Sequence, residues 1–72
     1  MIEVFKTNVN SRHHAQMLVE EIHSRFEGYS ANFDLWDCDK ILRIKSEDVS
    51  VEAEDIVALL RQKGYHAELL KG

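Results

Sequence analysis

The stretch SANFDLWDCDKILRIKS, residues 30–46, decides the fold. Its first half alternates, with Ala31, Phe33 and Leu35 on one side and Asn32, Asp34 and Trp36 on the other. Its second half alternates too, setting Leu42 and Ile44 against Ile41, Arg43 and Lys45. A period of two marks a strand with one face turned to a core. The polar tetrapeptide DCDK, residues 37–40, joins the two runs and predicts a hairpin.

A helix lies on each side of that hairpin in the chain. Upstream, Ala15, Leu18, Val19, Ile22 and Phe26 recur at spacings of three and four from residue 12 onward. Such spacing puts them on one helical face. Asn10 or Ser11 is placed to cap this helix and Gly28 to end it. Downstream, Ala53, Ile56, Val57, Leu59 and Leu60 form a second apolar face after Ser50. Glu52, Glu54 and Asp55 in the first turn suit the helix dipole, and Gln62, Lys63 and Gly64 close the helix. The ends of the chain supply two more strands. MIEVFK is rich in strand formers, with Ile2 and Val4 on one face, and YHAELL places Ala67 and Leu69 in a buried phase.

The order strand–helix–strand–strand–helix–strand predicts an α+β fold, a ferredoxin-like βαββαβ sandwich with two helices on one face of a four-stranded antiparallel sheet. With no proline, linker or low-complexity tract, residues 1–72 read as a single domain. In this fold Asn10–His14, Asp37–Lys40 and Lys63–His66 should gather on one rim.

A chain of 72 residues buries only about 60% of its unfolded surface, which leaves little room for a deep two-walled cleft. The net charge of −4 opposes nucleic acid or anionic lipid as the main partner. The lone cysteine, Cys38, suits a reducing compartment. No run has the length of a signal peptide or a bilayer span, so membrane insertion is not expected and a cytoplasmic setting is.

The segments AQMLVEEI, ANFDLWDCDKILRIKSED and AEDIVALLRQKGYHAELL, with Gly64-Tyr65 before the last strand, resemble the heavy-metal-associated domain family. This is the module of copper chaperones and of the cytosolic tails of metal-transporting ATPases, and the resemblance covers nearly the whole chain. It implies the ferredoxin-like fold and a Met-x-Cys-x-x-Cys loop opening the first helix, whose two thiolates bind Cu(I). Aligning the helix faces places Val9 at the family's Met, Ser11 at its first Cys and His14 at its second. The cysteine pair is therefore missing. The resemblance then implies a small non-enzymatic binding or interaction module with a degenerate metal site.

The residues offer several candidate sites beside it. His13 and His14, with Ser11, Cys38 and His66 on the same expected rim, are candidate ligands for a divalent transition metal such as Zn(II), Ni(II) or Cu(II). Against them, neighbours on a helix point about 100° apart, and no HxxxH or CxxC spacing is present. Ser11 reads first as an N-cap and lacks a visible base and orienter for catalysis. Asp37 and Asp39 flank Cys38 and disfavour its thiolate. Trp36, Ile41 and Leu70 are expected on the open face of the sheet, as an interface for a protein partner or a homodimer. An RNA-recognition reading fails for want of paired aromatics on the central strands. An ACT-like small-molecule regulatory domain shares the topology, but TNVNS, residues 7–11, lacks the glycine that such loops tend to carry.

Overall fold

A computed structural model describes residues 1–47 and 50–70. The chain runs β1 (Ile2–Thr7), α1 (Arg12–Arg25), β2 (Tyr29–Asp34), β3 (Ile41–Ser46), α2 (Ala53–Gln62) and β4 (Ala67–Leu70). The four strands form one antiparallel sheet in the order β2-β3-β1-β4, so β1 and β3 are central and β2 and β4 are edges. The fold is α+β, as the alternation and the two helical periods require.

The register assigns the two faces. Across the sheet, Phe33 pairs with Leu42, Leu42 with Phe5, and Phe5 with Leu69. Phe5 and Leu42 are fully buried, and they share one core with Ala15, Leu18 and Ile22 of α1 and Ile56, Leu59 and Leu60 of α2. The neighbouring row runs Asn32, Arg43, Val4, Leu70 and faces the other way. Ile2 and Val4 do share a face, and it is this outer one. The core takes Phe5, Thr7 and Val9 from the same segment instead. Val19 of α1, Phe26 at its C-cap, and Ala53 and Val57 of α2 are partly buried at the core margin.

Local chemistry explains where the elements stop. Ser11 is the N-cap of α1, its hydroxyl accepting from the His14 N–H at 3.3 Å. The helix ends at Phe26, and Gly28 at φ +90° turns the chain into β2. α2 begins after Glu52 and ends in a Schellman motif. There the Tyr65 N–H reaches the Leu60 carbonyl (2.8 Å), the Gly64 N–H reaches that of Arg61 (3.0 Å), and Gly64 sits at φ +91°. Only glycine takes that backbone conformation without strain, which accounts for the Gly64-Tyr65 pair. The start of α2 has no side-chain cap of its own. Tyr29 ties it down instead, its hydroxyl donating to the Ser50 carbonyl (3.1 Å) and accepting from the Glu52 N–H (2.8 Å).

The expected rim forms around the end of β1. The Thr7 N–H donates to the Asp39 carbonyl (3.1 Å), and the Thr7 hydroxyl donates to that of Lys40 (2.6 Å) while accepting from the Val9 N–H (3.2 Å). Asn8 donates its N–H to the His66 carbonyl (3.3 Å) and accepts the His66 N–H on its side chain (2.8 Å). The hairpin and the start of β4 are thus bonded to either side of one short segment.

Candidate functional site

The rim carries the candidate metal ligands. His13 and His14 are both exposed, with ring centroids 5.8 Å apart and planes tilted by 51°. His14 leans toward Tyr65, ring to ring 5.9 Å. The Ser11 hydroxyl is engaged in capping. His66 is exposed, and it is its backbone that is tied to Asn8. Cys38 is exposed in the turn after β2. Among the described residues, the group of three potential ligands that come within 4.8 Å of one another is Asp37, Cys38 and Asp39. No histidine belongs to it. The rim therefore brings the candidate loops together without converging His13, His14 and His66 on one point.

Asp37 and Asp39 serve the turn itself. The Asp39 N–H donates to the Asp37 side chain (2.8 Å), and the Lys40 N–H donates to the Asp37 carbonyl (3.0 Å). These are the local bonds by which Asp organises a turn. Asp39 also faces Lys6 at 3.6 Å. Lys40 adopts φ +49° and directs its ammonium to the Leu35 carbonyl (3.1 Å).

The expected interface residues separate. Ile41 is only 6% exposed. It sits on central strand β3, paired with Lys6 on one side and Asp34 on the other, and flanking strands leave such a position little surface. Leu70 is 37% exposed on edge strand β4, opposite Val4. Trp36 is 97% exposed, the most exposed of the large apolar side chains described. It lies beyond the end of β2, so strand alternation no longer fixes its direction. The Trp36 N–H donates to the Asp34 side chain (3.2 Å), starting a turn that takes the indole off the strand path.

That turn places Trp36 at the mouth of a groove of about 450 Å³ between α1 and edge strand β2. Ala15 and Val19 of α1 and Phe33 and Leu35 of the β2 end give it an apolar floor. Asn10, Gln16 and Asn32 also line it, and Arg12 supplies the only formal charge among its described lining residues. The volume falls in the usual range for ligand sites. Sequence reading flagged Trp36 but not the groove. The i, i+4 pair Ala15 and Val19 marks the helical wall, yet only the fold sets it against β2.

The open side of this groove is the free edge of β2, and α1 covers part of it. The Ala31 N–H donates to His23 Nε2 at 3.0 Å, and the Tyr29 N–H donates to the Phe26 carbonyl at 3.3 Å. His23 thereby acts as a side-chain substitute for a neighbouring strand, a role its surface position in the sequence does not announce.

Charge elsewhere is arranged between the helices. Glu21 meets Arg25 at 2.6 Å and Lys63 at 3.6 Å. The hydrogen bond from Arg25 and the nearby Lys63 ammonium hold its carboxyl below the ordinary carboxylate range. Among the described residues no helix is long and apolar enough to cross a membrane. Compared with known proteins, the chain matches no family model, no curated protein and no solved structure.

Proposed function

We propose that this chain is a non-enzymatic binding module on a ferredoxin-like βαββαβ frame, working through the groove between α1 and β2 with Trp36 as its anchor. One observation carries the reading: the largest apolar side chain of the molecule stands 97% exposed beside a groove floored by apolar residues. Exposed tryptophan is costly to leave in water and is strongly enriched among residues that dominate binding energy. The ferredoxin-like assignment is supported by the element order, the strand order β2-β3-β1-β4 and the single core shared by both helices. Kinship with heavy-metal-associated domains is part of the same proposal and rests on that frame.

The working surface would then differ from that family's. The position matching the first family cysteine is Ser11, whose hydroxyl caps α1. The position matching the second is His14, whose ring leans toward Tyr65. The groove lies along the opposite flank of α1, beside β2. A random peptide library displayed on phage, together with a fragment set read by NMR, tests the reading. Ligands that bind wild type and lose affinity on Trp36→Ala are expected, with the Trp36 indole N–H shifting on binding. No Trp36-dependent ligand from either collection would overturn it.

A further inference from the structure

The backbone at the groove identifies what kind of ligand fits. In an antiparallel pair, successive residues of an edge strand turn their N–H and C=O groups alternately toward the partner strand and away from it. Ala31 gives its N–H to His23 and Tyr29 gives its N–H to Phe26, both outside the sheet. The outward set on β2 is therefore Tyr29, Ala31 and Phe33. The first two N–H groups are covered, Ala31 by His23 of α1 and Tyr29 by Phe26 at its C-cap. Phe33 is the next in phase and lies in the groove. Among the described residues, no group outside the sheet is bonded to its N–H or C=O.

From this juxtaposition we infer that the α1–β2 groove takes a short extended peptide that carries carboxylates. The peptide adds as a strand beside Phe33, and its acidic side chain or terminus meets Arg12. The inference rests on the binding-module reading and supplies its ligand class. Edge-strand addition obtains affinity from main-chain hydrogen bonds and specificity from the pockets on either side. Here the pockets are the apolar floor of Val19 and Leu35 and the face of Trp36. Charge selects the ligand's sign. Among the described lining residues Arg12 carries the only formal charge, so the groove is locally cationic although the protein's net charge is −4. No ion pair joins Arg12 to a carboxylate among the described residues; Asp34 faces Arg43 at 3.6 Å and accepts the Trp36 N–H, and Glu20 accepts from Gln16 at 3.2 Å. The His23 ring closes the far end at Ala31, so the added strand is short. About three residues, or roughly 10 Å at strand spacing, fill the open length.

The test uses two peptides, N-acetylated and C-terminally amidated, Val-Glu-Val-Glu-Val-Glu and its lysine counterpart, titrated into the whole ¹⁵N-labelled protein. The glutamate peptide is expected to shift the Phe33, Leu35 and Trp36 amides and to protect the Phe33 amide from hydrogen exchange. Arg12→Glu is expected to weaken it by about tenfold or more, the loss of one charge-assisted contact. Arg12 is exposed in the first turn of α1, and an unchanged melting curve verifies that the variant is folded. Equal binding of both peptides, no protection at Phe33, or dilution-dependent shifts of the same amides without peptide would each overturn the proposal. The last result would assign the edge to a second copy of the chain. If library selection instead yields Trp36-dependent ligands that leave the Phe33 amide unchanged, strand addition fails while the binding-module reading stands.

Discussion

His23 Nε2 accepts the backbone N–H of Ala31 at 3.0 Å, so a helix side chain occupies a hydrogen-bonding position on an edge strand that another strand could take. Edge strands with unpaired backbone groups invite pairing between chains, and this bond removes one such group. His23→Ala is expected to cost about 1 kcal/mol, the usual net worth of a neutral hydrogen bond. Amide exchange at Ala31 should rise far more than at Ile44, its partner across the β3 ladder. An Ala31 amide as protected in the variant as in wild type would show that the ring does not cover the edge.

Thr7 is the hinge pin of the rim. Its buried hydroxyl donates to Lys40 and accepts from Val9, joining segments 33 residues apart. Thr7→Val keeps the shape but leaves both backbone partners without the hydroxyl, at a cost of about 1–3 kcal/mol by denaturant unfolding. Thr7→Ser retains both bonds and should recover most of the loss.

Gly64 at φ +91° allows α2 to end and β4 to begin. Nothing lies within 4 Å of where a Cβ would sit, so the penalty for Gly64→Ala is one of backbone conformation and not of crowding. About 1–2 kcal/mol is expected for a non-glycine residue held there. Gly64→Asn, better tolerated in that region, should cost less.

Glu21 makes stability depend on pH in a defined direction. Its folded carboxyl titrates below the unfolded one, owing first to the Arg25 hydrogen bond and then to the Lys63 charge. The contribution is therefore fully present above the unfolded carboxylate value and is lost as pH falls through the folded one. Wild type should melt above Glu21→Gln at neutral pH, and the gap should close in acid. The carboxylate lies at the surface on a partly exposed side chain, so the gap is small and should shrink in high salt.

How much of this was legible in the sequence follows from which forces are local. The alternation in residues 30–46 and the three- and four-residue spacings fix the strands and helices because burial acts on every turn of the chain. Ser11, Gly28 and Gly64 were likewise readable, since capping and left-handed backbone are properties of a few adjacent residues. The phase of β1 was less so. MIEVFK offers Ile2 and Val4 on one face and Phe5 on the other, and only pairing with Leu42 and Leu69 sends Phe5 inward. Ile41 reads as surface by alternation, but a central position between Lys6 and Asp34 covers it. Trp36 was visible as an exposed residue, while its company was not. The groove unites residues from Asn10 to Trp36, and the His23–Ala31 bond depends on helix placement that no short stretch encodes.

The pairing of Asn8 with His66 sets the order of events when the chain is made. The backbone that the Asn8 side chain grips is synthesised 58 residues after it. β1 takes its place in the sheet only once β3 has left the ribosome, and its other side stays bare until β4 follows. Of the four strands, the earliest in the chain thus waits for the latest before both of its sides are paired.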